Sequence, residues 1–385
     1  MQVPGRFDQG AEGVHTPLRR GKNRLRIEST CGLPETIQEG GEVSITGSIA
    51  GHVFRTGDPL IVTDIRKEIP VELRDGYRHY LTDSFLSVPI RLKNKTVGVI
   101  CCADKISGRG FDSYDLRIVT TVSNQVSQVY GNMMEQREQE QRRRLSHEID
   151  VAAEIQRKIL HGVPHAVGRH RLATFNKPAK VVGGDFYDYY RMNDHSYSLL
   201  VADISGKGIP AALFMGLALN VVRAERRVDS SPSGLLRNAN RYIHQDSENG
   251  MFVTLFYAVI DARESLIRFA SAGHNDQMLI SATNGKVTAL NARGRALGLA
   301  PNQRFEERSV PFGHGDMLIL FTDGVTECFG GDRMDIAHGE HELARIAREH
   351  LADGPDAMVE QLKIRLEEGA NLEFADDVTI VAVQL

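Results

Sequence analysis

The stretch from about Ser113 to Leu160 constrains the fold most. Val119, Val122, Val126, Val129 and Met133 step by alternating threes and fours, the a/d rhythm of a coiled coil. Glu135 to Arg144 is solvated and of mixed sign, and the rhythm then resumes out of register at Leu145, Ile149, Ala152 and Ile159. A continuous helix here would run roughly 70 Å at about 1.5 Å per residue. It therefore divides the chain into a front part and a back part. Two readings are open: a solvated linker whose face packs on its own domains, or a parallel helix that pairs with a second copy. The expected arrangement is a homodimer through this linker.

The chain has 385 residues, a length that suits two or three domains. Its formal charge of −4 does not mark a nucleic-acid binder or a partner for anionic membranes. The longest apolar run, Pro210 to Val222, is too short to span a bilayer and contains Asn220. The start lacks the apolar core of a signal peptide. Of the four cysteines, Cys101 and Cys102 are adjacent, which argues against a disulfide framework and for the cytoplasm.

Residues 1–23 read as an irregular segment. Residues 24–113 hold short strands, with Phe85 to Leu92 and Thr96 to Ala103 flanking a turn at Lys93-Asn94-Lys95. Ser48 to Thr56 reads as a helix closed by Gly57. After the linker, 114–160, the region 165–385 has strands near Val182–Tyr190, Ser196–Asp203, Phe252–Asp261, Leu266–Ala272, Gln277–Ser281, Asp316–Thr322 and Val378–Gln384. Helices are expected near Pro210–Glu225, Pro232–Gln245, Glu340–Leu351 and Pro355–Glu368. Strands in hairpins and helices in pairs predict a layered α+β sandwich.

Four acidic marks stand at strand ends: Gly183-Gly184-Asp185 with Asp188, Ala202-Asp203-Ile204, Thr322-Asp323-Gly324 and Ala375-Asp376-Asp377. Each aspartate taken alone reads equally as a turn-former or helix cap. Four together suggest a cluster whose repulsion a divalent cation relieves. Carboxylates suit hard ions such as Mn²⁺ or Mg²⁺. Two such ions clamp phosphoryl oxygens and ready a water for attack, with no side-chain nucleophile.

VADISGKGIPAALFM, from Val201 to Met215, resembles the corresponding motif of SpoIIE/RsbU-type serine/threonine phosphatases of the metal-dependent PPM superfamily. VVGGDFYDYY, MFVTLFYAVID, FASAGHN, GDMLILFTDGVTE and ADDVTIV follow in family order, and Ala153 to Leu160 resembles the helix that enters this domain. The resemblance implies an αββα sandwich holding two divalent cations, Mn²⁺ or Mg²⁺. It implies that Asp203 bridges both and that Asp185 and the Ile204 carbonyl serve one. Asp323 and Asp376 would hold the other, with Asp188 and Asp377 orienting ligands or waters. Lys207 is expected to be solvated or to support its helix, and His274 to be structural. Ile204-Ser205 stands where some relatives carry a histidine, so the general acid and the phosphate anchor stay unassigned.

GLPETIQEGGEVSITGSIAGHVFRTGDPLIVTDI, from Gly32 to Ile65, resembles a GAF sensory domain, supported by Phe85–Ile90 and Thr96–Ile100. Asp104-Lys105, Phe111 and Asp115 match only part of the cyclic-nucleotide pattern of such domains. Cys101 and Cys102 read as buried packing. Together these resemblances imply a GAF-regulated phosphatase acting on a phosphorylated anti-sigma-factor antagonist of STAS type. The alternative is a catalytically silent dimeric docking protein.

Overall fold

A computed structural model of the protein describes residues 11–17, 23–31, 40–69, 82–105, 107–160, 166–167, 170–228, 231–247, 250–330, 335–369 and 374–385. The chain divides into two compact units, residues 1–144 and 145–385.

The front unit contains β1 (Ala11–Pro17), β2 (Arg24–Ser29), β3 (Glu42–Ser44), α1 (Ile49–Thr56), β4 (Leu60–Val62), α2 (Ile65–Glu68), β5 (Phe85–Leu92) and β6 (Lys95–Ala103). It ends in the first part of α3 (Ser113–Ile159). The sheet order is β3-β2-β1-β6-β5-β4. The segment expected to be irregular thus supplies β1, which pairs with both β2 and β6. Its Gly- and Pro-flanked sequence lacks side-chain alternation, and two neighbouring strands satisfy its backbone instead. Lys93 and Asn94 sit at φ 50° and 60° in a two-residue turn, the conformation that fits the twist of a tight hairpin. Ser48 caps α1 by accepting from the Gly51 amide, and Gly57 at φ 73° ends it. Cys101 and Cys102 are buried. Lys105 pairs with Asp115 at 2.5 Å, and Asp104 accepts from the Thr82 amide at 2.7 Å, so these residues brace their own loop. The Gly32 to Ile65 motif is described from Gly40 onward, its first part lying outside the described residues.

The valine stripe of α3 has two fates. Leu116, Val119 and Val126 pack on the front sheet, and Ser123 donates to the Pro89 carbonyl at 2.6 Å. Val122, Val129 and Met133 stay exposed.

The second unit contains β7 (Ala166–Val167), β8 (His170–Lys177), β9 (Phe186–Arg191), β10 (Ser196–Ile204), α4 (Ile209–Glu225), α5 (Pro232–Asp246), β11 (Val253–Asp261) and β12 (Leu266–Ala272). It continues with β13 (Gln277–Ile280), β14 (Val287–Leu290), β15 (Glu307–Pro311), β16 (Met317–Phe321), α6 (Asp323–Gly330), α7 (Ile336–Glu349), α8 (Pro355–Gly369) and β17 (Val378–Gln384). One sheet runs β15-β12-β11-β10-β9 and the other β14-β13-β16-β17-β8-β7. Leu200, Ala202 and Ile204 face α4 and α5, while Leu199 and Val201 face the second sheet. Burial on both faces explains why β10 reads as a nearly continuous apolar run. Leu318, Leu320, Val381 and Val383 complete the middle layer. Ile319, Phe321 and Ile380 pack beneath α6 to α8. The result is an αββα sandwich. The strand expected from Val182 begins only at Phe186, because Gly183 and Gly184 form a tethered loop instead. Among the described residues no helix is long and apolar enough to cross a membrane.

Candidate metal centre

The expected acids come from four separate segments and meet at one edge of the sandwich. Asp203 is the second-last residue of β10, opposite Thr254. Gly206 and Gly208 follow at φ 99° and 80° and turn the chain into α4. Asp323 opens α6 directly after β16, and Asp376 and Asp377 precede β17.

The loop before Asp185 is held from two sides. The Gly184 amide donates to Asp377 Oδ2 at 2.6 Å, and the Ala179 amide donates to Asp377 Oδ1 at 2.8 Å. A Cβ at Gly183 would stand 2.5 Å from Asp377 Oδ2, and one at Gly184 3.1 Å from the Ile204 oxygen. Close approach therefore calls for glycine at 183 and leaves little room at 184, and the Ile204 carbonyl lies against this loop. From the other side, Gln156 of α3 donates to the Gly183 carbonyl at 2.6 Å and accepts from its amide at 3.2 Å. Asp185 itself is buried and accepts from Thr322 and Thr379 at 2.7 Å each.

Burial, followed by the charge of Asp203, pushes the Asp185 carboxyl well above its usual range. Burial, then Asp323, Asp376 and Asp377, push Asp203 up to about 7, while a hydrogen bond from Asp185 pulls the other way. Asp323 is raised by burial and then by Asp376. Glu327, four residues on along α6, is raised by burial and then by Asp323 and Asp376. These mutual effects show one acidic cluster whose ionisation is costly without a cation. As the side chains stand, among the described residues no three such groups enclose an ion. Asp185 hydrogen-bonds to Asp203, and Lys207 engages Asp376 at 2.8 Å while donating to the Ala375 carbonyl at 2.7 Å. Proton sharing and the ammonium offset part of the repulsion.

One expectation needs correction and one gains a partner. Lys207 is exposed, as expected of a solvated lysine, and also pairs with Asp376. Asp188 faces away from the cluster: it lies opposite Leu200, about 10 Å along the strand from Asp203. There it receives Arg223 at 2.8 Å and Arg226 at 2.6 Å, and Arg223 also donates to the Ile159 carbonyl at 3.2 Å. Asp188 therefore ties α4 and the end of α3 to β9. His274 is held between Thr254 at 2.8 Å and the Phe321 carbonyl at 3.2 Å. Burial pushes it down to about 4, so it is a neutral structural residue.

Four supporting residues went unassigned in the sequence. Thr322 and Thr379 carry a signal only by adjacency to Asp323 and Asp377. Gln156 stands in the recognised entry helix. Gln277 exchanges amide hydrogen bonds with Phe321 at 3.2 and 2.6 Å and fixes the strand end before Asp323.

Two sheets between helix pairs, with acids gathered at one edge, define the PPM class of phosphatase. Residues 193–385 match the family described as Stage II sporulation protein E (SpoIIE), and the chain belongs to that family. Residues 10–130 match the GAF domain. The segment with Asp185 and Asp188 precedes the SpoIIE match, yet it belongs to the same compact unit. The chain is 29% identical over 238 residues to the phosphoserine phosphatase RsbU of Bacillus subtilis, covering 62% of this chain and 70% of RsbU. It is 25% identical over 184 residues to the phosphoserine phosphatase RsbP of the same organism, covering 47% of this chain and 45% of RsbP. The SiaA PP2C domain of Pseudomonas aeruginosa superposes with a TM-score of 0.53 at 24% identity, covering 63% of this chain and 98% of that domain. The protein is a PPM-type protein serine/threonine phosphatase.

Proposed function

We propose that the protein hydrolyses phosphoserine or phosphothreonine on a STAS-type anti-sigma-factor antagonist, in a partner-switching pathway governed by its GAF domain. One observation carries the catalytic part: acids from distant segments converge, and burial with mutual repulsion suppresses their ionisation. All-oxygen donors of this kind fit hard divalent ions. Asp203 would hold two Mn²⁺ or Mg²⁺ ions, Asp185 and the Ile204 carbonyl one of them, and Asp323 and Asp376 the other. When bound, such a pair lends Lewis acidity to phosphoryl oxygens and acidifies water. Thr322 and Thr379 orient Asp185, Asp377 fixes the glycine loop, and Gln277 holds the strand end that leads to Asp323. The substrate class rests on the family and on the two phosphoserine phosphatases.

The working division is a front sensory domain through about residue 113, a linker over 114–160 and a phosphatase domain over 165–385. The exposed Val122, Val129 and Met133 support a homodimer through the linker. The signal received by the GAF domain is a small molecule or a protein, and the site of action is the cytoplasm.

The test is hydrolysis of a phosphoserine protein of STAS type with Mn²⁺, with chelator, and with Asp203→Asn. Activity that survives chelation and substitution overturns the metal-dependent mechanism. An inert wild-type protein with the metal bound favours the docking alternative.

A further inference from the structure

The loop from Arg293 to Glu306 stands apart from the acidic edge it adjoins. Residues 293–304 carry three arginines and no acid, in a chain of net charge −4. The loop is closed at its base, where the Glu306 amide donates to the Arg293 carbonyl at 2.9 Å and the Arg293 amide donates to Glu306 Oε2 at 2.8 Å. Its middle is fixed by Asn240 of α5, which is buried. Asn240 donates to the Ala300 carbonyl at 3.0 Å and accepts from the Gly298 amide at 3.0 Å and from Gln303 at 3.2 Å. Compact, internally anchored surface loops of this length often carry function.

On this rigid frame Arg293, Arg295 and Arg304 are exposed and line one open cleft of about 430 Å³. Glu306 at the loop base pairs with Arg308 at 2.9 Å and lies near Arg293, leaving Arg295 and Arg304 without an acid on the loop. Three like charges around one concavity repel each other unless an anion lies among them.

The loop's place relates it to catalysis. Leu297 bridges to Val253, and Val253 pairs with Ile204, the residue after Asp203. Two strand spacings of about 4.8 Å put Leu297 roughly 10 Å from the acidic edge. An extended peptide advances about 3.3–3.6 Å per residue, so three to five residues cover that span. A phosphoprotein approaching several buried carboxylates meets repulsion, and a fixed basic cleft nearby offsets it and sets the direction of approach.

We propose that Arg293, Arg295 and Arg304 form a docking cleft for acidic side chains of the phosphoprotein substrate, three to five residues from its phosphoserine. The proposal rests on the phosphatase reading for its substrate. Its first test, however, is binding without turnover.

Fluorescent phosphoserine peptides carrying three glutamates at that spacing, on either side, are compared with glutamine versions by anisotropy in the presence of chelator. One glutamate peptide should bind about tenfold more tightly than its glutamine version, a preference suppressed by salt. The triple variant Arg293→Glu, Arg295→Glu, Arg304→Glu should lose it, and the milder Arg→Gln triple should lose most of it. With Mn²⁺, kcat/KM on the preferred peptide should fall about tenfold through KM, while para-nitrophenyl phosphate turnover stays unchanged. Equal binding of glutamate and glutamine peptides, or a preference that survives in both variants, overturns the cleft. So does full displacement of the peptide by an equal concentration of inorganic phosphate, which would mark a simple anion site. Loss of all metal-dependent hydrolysis in wild type would sink the phosphatase reading, while the binding comparison would still decide the cleft.

Discussion

The front sheet and the β14-to-β7 sheet of the second unit each have six strands. The front sheet is covered by small separate clusters, such as the one around Leu25, Val53 and Val99. The second unit stacks two sheets, so Phe256, Leu199 and Leu320 meet in a shared middle layer while both outer faces are covered by helices. The polar contents differ as well. In the front unit Lys105 pairs with Asp115 in the first turn of α3, both partly exposed. In the second unit Asp185 is buried beside further acids and held by two threonines. Keeping repelling carboxylates together needs a frame that over-determines each position, and the double layer supplies it. A thin single layer with small clusters tolerates local opening more readily.

The largest effect that separates the regions is on activity. Asp203→Asn or Asp323→Asn should lower kcat by about 1,000-fold or more, on the order of 4 kcal/mol of lost transition-state stabilisation. Both variants should keep the front unit's unfolding transition in calorimetry. Retention of more than a tenth of the activity would break the assignment.

Core deletions sharpen the contrast next. Phe256→Ala removes a buried ring stacked on Phe269 at 5.4 Å and should cost about 3–5 kcal/mol. Leu86→Ala in the front core should cost about 2–5 kcal/mol, nearer the low end if its small cluster relaxes. Urea unfolding followed by unit-specific proteolysis should show each change in its own unit. One joint transition for both variants would contradict two separate cores.

Gln156→Leu should cost less, about 1–3 kcal/mol, by leaving the Gly183 amide and carbonyl without their partner. Activity should fall about 10- to 100-fold, with metal affinity weakened in parallel. Isothermal titration with Mn²⁺ checks the second point, and unchanged affinity would make Gln156 a packing residue only.

The smallest effect is on pH dependence in chelator. Asp203, at about 7 in the fold, and Asp185, also held well above its usual range by burial and then by Asp203, keep protons that the unfolded chain releases near 4. Folding stability from this pair is full at low pH and is lost as pH rises through their folded values. His274 has the opposite sign: depressed to about 4, it costs stability as pH falls below about 6.5. Between pH 6.5 and 8 only the aspartate effect remains. The second unit's melting point should drop by a few degrees there and recover with Mn²⁺. A flat profile would break the shared-proton reading.

The motifs made the acids legible because each stands where an apolar run stops at a glycine or another acid, a local pattern. The hairpin at Lys93-Asn94 and the caps of α1 were legible for the same reason. β1 was not, since its place is fixed by pairing with β2 and β6 rather than by its own side chains. Asp188 misled because it is close in sequence to Asp185 but points to a different neighbourhood, where Arg223 of α4 and Arg226 just past its end wait.

By itself the sequence determined most of the long strands and helices, the division around α3 and the positions of the acids that gather at the sheet edge, because these depend on periodicity and on residues adjacent in the chain. Only the tertiary structure decided which acids face one another, that Lys207 joins them, that Gln156 clasps the glycine loop and that three arginines share a cleft. Those relations link residues far apart along the chain, and their energies arise from burial and proximity that no local pattern encodes.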